Sequence, residues 1–341
     1  MTTKKINLAL QGGGAHGAFA WGVLDKILED GRLEIDGVSG TSAGSMNAGV
    51  LAYGYAKGGR EGARKALENF WKRISEAGQK FSVTETTPLD HLFAKMGIMS
   101  TPSFAMFETI SGMMSPYQFN PTNFNPLKEV LEQSIDFDVL KNQDKIKVRI
   151  CATNVNSGKV RIFKNEEMAI EVLLASGCLP FLFQTVSVGN QHFWDGGYMG
   201  NPALFPLIYD TTTSDILIIH INPIHRDEIP TTAGAIRDRV NEISFNSSLM
   251  REMRMVAFIT KLIDEGWIKD EFKDKLRRMH IHSVRADDVM REFGVPSKLS
   301  ADWDFLLKLK EVGREKATEW LKKNFDKVGK ESSVDLAADY L

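Results

Sequence analysis

Ser42, inside Gly40-Thr41-Ser42-Ala43-Gly44, has the neighbours of a nucleophile. A serine with a glycine two positions away on each side fits a turn between strand and helix so tight that the hydroxyl is left exposed. A Cβ at either glycine would collide with the neighbouring backbone. The helix behind such a turn adds free amides and a positive dipole end, both of which favour an anion. The plain alternative is a loop serine capping a helix. A second glycine cluster tips the balance toward chemistry. Gln11-Gly12-Gly13-Gly14-Ala15-His16-Gly17 lies one strand-helix unit upstream. Its amides can turn toward a bound anion, and a parallel neighbouring strand would deliver them beside Ser42. Nucleophile and oxyanion donors (Gly12, Gly13, Gly14 and Ala15) are then both accounted for.

Three motifs in this order, Gly12 to Gly17, Gly40 to Gly44 and Asp195-Gly196-Gly197, resemble the signature of the patatin-like phospholipases. Ala175-Ser176-Gly177-Cys178-Leu179-Pro180 resembles the small-residue helix end that precedes the family's aspartate strand, and Asn201-Pro202 fits the segment after it. The resemblance covers about residues 5 to 225. Asn241 to Asn246 is similar, less specifically, to C-terminal parts of some bacterial members. His16 departs from the pattern, because many members carry Arg or Lys there; that touches only a charge beside the oxyanion amides.

A serine hydroxyl needs a proton acceptor. His220, His225, His280 and His282 all follow Asp195, so chain order permits a Ser–Asp–His triad. Topology argues against it. An α/β-hydrolase elbow follows several strands, whereas Ser42 follows one strand-helix unit and one short strand. The resemblance implies a Ser42–Asp195 dyad instead, with Asp195 as general base. The context agrees, since Trp194 can desolvate the carboxylate and Gly196-Gly197 permits a turn that aims it.

The elements that must position these groups alternate between strand and helix. Ile6–Leu10, Ile35–Ser39, Lys147–Thr153, Lys159–Phe163, Thr185–Val188, His192–Trp194, Ile216–Ile221 and Met279–Val284 read as strands, Ile216–Ile221 as a central one. Helical periods follow Ala18, Met46 and residue 57, and Gly31 ends the first of these helices. Residues 126 to 140 and 166 to 175 read as short helices. Apolar positions from Ile236 to Ile263 mark one or two long ones. Phe305, Leu309, Val312, Ala317, Trp320 and Leu321 form a stripe expected to face the core. The fold class is α/β, a mostly parallel central sheet sandwiched by helices. Residues 1–225 are expected to form the catalytic domain and 226–341 a mainly helical extension packed on it. About residues 88 to 126, methionine- and phenylalanine-rich and broken by prolines, read as a lid-like insertion or lipid-facing cover.

With 341 residues, 43% hydrophobic and 25% charged, the chain can bury a sizeable core. A net charge of −2 gives no reason to expect nucleic acid. Cys151 and Cys178 sit in apolar stretches and read as reduced core thiols. The scattered histidines offer no metal spacing, so neither a metal nor a cofactor is expected. The apolar start is too short for a signal peptide, and no stretch is long enough to span a bilayer. The expectation is a cytoplasmic protein that works peripherally at a membrane or lipid interface. Secretion that reads no N-terminal signal stays open.

The reading is a lipid acyl hydrolase with a lipid or phospholipid substrate. Neutral glyceride or storage-polyester esterase activity is an alternative, as is a non-catalytic lipid-binding protein. Gly12-x-Gly14-x-x-Gly17 with Asp36 also matches a dinucleotide-binding fingerprint. Asp36 falls near the start of its strand, however, and the serine motif occupies the turn where a ribose would lie.

Overall fold

Apolar runs with no room for a charge build the centre of the molecule. The computed structural model describes residues 3–80, 90, 102–272 and 276–341. Among these, strands β1 (Lys4–Leu10), β2 (Leu33–Thr41), β3 (Lys147–Asn154), β4 (Val160–Phe163), β5 (Val186–Val188), β6 (Gln191–Asp195), β7 (Asp215–Ile219) and β8 (His280–Val284) form one sheet. Their order is β5-β6-β3-β2-β1-β7-β8, with β4 also paired to β3. β3, β2, β1, β7 and β8 run parallel, and β7 lies between β1 and β8. β7 is buried at every position, and all of it after Asp215 is apolar, as a strand covered on both faces requires.

Strands β4, β5 and β6 are antiparallel to their neighbours. Strands joined by a tight turn can only be antiparallel. β3–β4 and β5–β6 are such hairpins, turning near Gly158 (φ 65) and Gly189 (φ 61). The sheet is therefore mixed at the end that carries Asp195.

Helix α1 (Gly17–Asp30) buries nearly its whole surface. Gly31, left-handed at φ 74, ends it with an N–H donated to the Ile27 carbonyl. Helix α2 (Ala43–Lys80) starts directly behind Ser42 and breaks at Gly58 and Gly59, so it is two helices in line. The Asn47 side chain ties the two helix starts together, donating to the Gly17 carbonyl and accepting from Trp71 Nε1, each at 3.0 Å. Helix α3 (Ile170–Ser176) ends at Gly177. The two remaining long helices are α4 (Ala233–Asp264) and α5 (Trp303–Asn324).

Two expectations need correction, and a third lies partly outside the described residues. Residues 126 to 140 form two helices, Pro126–Ser134 and Phe137–Asn142, because Asp136 caps the second by accepting the amides of Asp138 and Val139. Ile236, Val240 and Ile243 are exposed, since they share one face of α4 and the buried positions, from Glu242 and Phe245 to Val256, lie on another. Of the insertion at 88 to 126, residues 88–89 and 91–101 lie outside the described residues; the rest includes helices Pro102–Met113 and Pro116–Phe119.

The stripe on α5 faces the core, where Leu306, Leu309, Ala317, Trp320 and Leu321 are buried. It lies against α1 at backbone distance. A Cβ built on Gly22 would stand 1.9 Å from the Lys310 carbonyl oxygen, and one on Gly313 would stand 2.1 Å from that of Phe19. Overpacking such a contact costs about 1–3 kcal/mol, sometimes more. Gly313→Ala should therefore lower the unfolding free energy from urea titration by that much, with a lower midpoint. Gly234→Ala, where nothing lies within 4 Å, should not.

Candidate active site

β1 and β2 are parallel neighbours in register, Leu10 opposite Gly40, so the chain leaves both strands at the same level. The two turns that follow touch. A Cβ on Gly12 would fall 2.6 Å from both Ser42 Cβ and the Thr41 oxygen, and one on Gly44 would fall 2.2 Å from the Leu10 oxygen. Gly40 would meet the Gly44 oxygen at 2.4 Å, and Gly17 would meet Ala43 Cβ at 2.8 Å. Ser42 itself is left-handed at φ 54, a conformation that costs a non-glycine residue energy. Neighbours hold it there. Its N–H donates to Ser176 Oγ (3.0 Å), which in turn donates to the Cys151 carbonyl (2.7 Å). Its carbonyl accepts both the amide and the hydroxyl of Ser45.

The glycine loop has no side chains of its own to anchor it, and amide side chains around it do so. Gln11 Oε1 accepts the N–H groups of Ile221 (2.8 Å) and Asn222 (2.9 Å), and its Nε2 donates to Asn246 Oδ1 (2.9 Å). Gly12 donates its amide to Asn201 Oδ1 at 2.7 Å and accepts Asn222 Nδ2 at 2.9 Å. Both polar groups of Gly12 are thus committed to protein partners. Gly14, at φ 58, lies under the Lys298 carbonyl oxygen, which a Cβ there would approach to 2.2 Å.

Asp195 ends β6 opposite Ala152 and is fully buried. Its N–H donates to the Cys178 carbonyl and its own carbonyl accepts Thr153 Oγ1. Oδ1 accepts the Gly197 amide at 2.7 Å, while Oδ2 is buried and makes no hydrogen bond of standard length among the described residues. Burial pushes the carboxyl up to about 6; the Gly197 amide, the nearby Ser42 hydroxyl and the Lys298 charge offset part of that. Gly196 and Gly197 are glycines because side chains there would strike the Cys151 carbonyl (2.2 Å) and the Phe245 ring (2.4 Å). Trp194 lies on the opposite face of β6 from Asp195, as alternation along a strand demands. The expected desolvation comes instead from the packing on the other side, which includes Phe245.

Ser42 lies between two cavities. One, of about 390 Å³, is also lined by Gly13, Gly14, Asp195, Tyr198, Arg237 and Lys298. The other, of about 290 Å³, is walled by apolar side chains including Met46, Phe70, Trp71, Ile74 and Val130. Lys298 lines both. Nothing in the sequence pattern singled it out.

No histidine lines either cavity among the described residues. His282 and His280 face Asp215 at 2.9 and 3.4 Å, toward the end of the sheet opposite the glycine loop. His220 is buried against Tyr340 (2.9 Å), and His225 pairs with Asp227 at the surface. His16 also differs from expectation. Burial first, and Lys298 second, push it down to about 3, so it is neutral and tunes no charge. Cys151 and Cys178 are free, buried thiols, both pushed up by burial, Cys178 to about 12. The described residues contain no group of three metal-ligating side chains, and no helix among them is long and apolar enough to cross a membrane.

The strand order, the glycine loop and the serine turn define an α/β protein of the patatin type. The profile of the patatin-like phospholipases matches residues 8–208, and the chain belongs to that family. Among solved structures it is similar to VipD from Legionella pneumophila, at 14% identity and a TM-score of 0.42, covering 94% of this chain and 67% of that one. It is also similar to ExoU, solved with SpcU from the type III secretion system of Pseudomonas aeruginosa, at 16% identity and a TM-score of 0.40. That match covers 95% of this chain and 52% of the other, so the chain spans about half of that relative's length. Curated proteins yield no match.

If Asp195 must be ionised to accept a proton, kcat/KM for a soluble ester should rise as pH increases through about 6. His220→Ala, His225→Ala, His280→Ala and His282→Ala should each keep most activity per folded molecule. A histidine variant as dead as Ser42→Ala would refute the dyad.

Proposed function

We propose that this chain is a serine esterase acting on lipid acyl esters, with Ser42 as nucleophile and Asp195 as general base. One observation carries the reading: the buried, half-bonded Asp195 carboxyl shares a cavity with a strained Ser42 and the glycine-loop backbone. Ser42 Oγ bonds to the ester carbon as its proton passes to Asp195, and the carbonyl electron pair moves onto oxygen. The amides of Gly13, Gly14 and Ala15 hold that oxyanion. Gly12, whose amide already serves Asn201, holds the loop in place instead. Collapse breaks the ester C–O bond, and the leaving oxygen takes the proton from Asp195. Water then repeats the sequence on the acyl-enzyme.

The apolar cavity suits the acyl chain, and the more polar one suits the glycerol and head-group side. Glycerophospholipid or lysophospholipid is the substrate class we infer. Residues 1–225 form the catalytic unit, with 226–341 packed on it. Exposed Met106, Met113, Met114 and Tyr117 beside Ser111 and Gly112, which line the polar cavity, fit a cover that meets a lipid surface.

A fluorophosphonate probe should label one site, and Ser42→Ala should abolish the labelling; labelling that survives would sink the assignment. Asp195→Asn keeps the shape but cannot take a proton, so kcat should fall by roughly 10²–10⁴. Replacing Met113 and Met114 with serine should depress hydrolysis of aggregated lipid far more than that of a short soluble ester. Equal losses on both would make residues 102 to 126 plain structure.

A further inference from the structure

The five-residue turn Val295–Leu299 lies against the glycine loop, although some 250 residues of chain separate it from Ser42. Two contacts fix it. The Lys298 carbonyl oxygen covers Gly14, and Ser297 Oγ stands 2.7 Å from His16 Nε2. Ser297 spends its hydroxyl proton on the Gly294 carbonyl (2.7 Å), so His16 must be the donor, protonated on Nε2. The His16 ring itself packs against both Phe293 and Phe305, which also touch each other.

The Lys298 side chain turns from this anchor toward the site. Its Nζ donates to Asn222 Oδ1 and Asn241 Oδ1, each at 2.9 Å, and lies 5.7 Å from the Phe245 ring centroid. Asn222 is the same residue that holds the Gly12 carbonyl. An ammonium has a third N–H to give, and Lys298 lines both cavities that meet at Ser42.

Resting on the Ser42–Asp195 reading, we propose that Lys298 is a further catalytic residue: its ammonium faces the oxyanion formed at the ester carbonyl and stabilises it together with the glycine-loop amides. Neutral His16 thus leaves the charge beside the loop to a cation from the distant turn. A preorganised charge in a water-poor site acts on the transition state far more strongly than it would in water.

The titratable groups around the ammonium are Asp195 at the end of β6, Arg237, Asp238 and Glu242 on α4, and the neutral His16 in the loop. Burial nevertheless dominates and brings Lys298 down to about 8. Only the protonated form carries the charge, so the contribution of Lys298 is present below that pH and lost above it, which sets the alkaline limb of activity.

The test is kcat and KM across pH on a short neutral ester and on a phospholipid. Lys298→Met should lose roughly 10²-fold in kcat on the neutral ester with little change in KM, and Lys298→Arg should recover part of it. Asn241→Asp places a carboxylate on the ammonium and should move the alkaline limb up by about one pH unit; it also decides the matter if the methionine variant does not fold. Full kcat for Lys298→Met on the neutral ester, loss confined to the phosphate-bearing substrate, or an unmoved alkaline limb in Asn241→Asp would each overturn the proposal. Should Ser42→Ala stay active, it is the esterase reading that fails.

Discussion

Two backbone turns at the ends of adjacent parallel strands touch, and little else in this site is free to vary once they do. Contact at Gly12, Gly40 and Gly44 leaves no volume for a Cβ, because the atoms in the way are carbonyl oxygens and the Ser42 side chain itself. Backbone cannot swing aside as a flexible side chain can. The close approach brings the backbone after Gly12 and Ser42 into the wall of one cavity, the arrangement that the proposed oxyanion role of the loop amides needs. It also has a cost. A run of glycines loses more conformational entropy on ordering than any other sequence. The ring of Gln11, Asn201, Asn222 and Asn246 offsets that by gripping the start of the loop, at Gln11 and Gly12.

Asp195 shows the same economy in electrostatics. A carboxylate with all its lone pairs satisfied by amides would hold its proton weakly and make a poor base. Here one oxygen is bonded to Gly197 and the other is buried without such a bond among the described residues. Moving from 3.8 to about 6 means binding a proton roughly a hundredfold more tightly. The position of β6 makes this possible. Being the antiparallel neighbour of β3, it ends at the level where β2 ends, so its last residue arrives beside Ser42 rather than at the far end of the sheet.

The features legible in the sequence are those in which local chain geometry permits one residue type. Glycines 12, 14, 40, 44 and 196 stood out because backbone contact or a left-handed conformation requires them, and Gly197 because the Phe245 ring leaves no room for a side chain. The strands stood out because buried parallel strands have no polar face. The antiparallel course of β4 to β6 was implicit in two short glycine turns, yet strand direction is decided by pairing and not by composition. Lys298 and its partners Asn222 and Asn241 carry no local mark at all. Each is an ordinary polar residue whose neighbours in space are scattered from residue 11 to 245, and no spacing rule connects them. His16 misled for the same reason, because its neutrality comes from Phe293, Phe305 and Lys298, all remote in sequence.

The segment after residue 208 closes a site that the family-matched part begins. Asn241, Phe245, Lys298 and Leu299 line the polar cavity with Gly13, Gly14 and Ser42. The turn carrying Lys298 leads within a few residues to Asp302, which caps α5 by accepting the Phe305 amide. Helix α5 in turn docks on α1 at backbone distance, and α1 starts where the glycine loop ends. Loop, turn and the two helices therefore form one continuous chain of contacts, with Gly22 and Gly313 where α1 and α5 cross. A substitution that lifts α5 from α1 is expected to pull the 295–299 turn away from Gly14. The site is then disturbed through its least adjustable contact, by a residue that lines neither cavity.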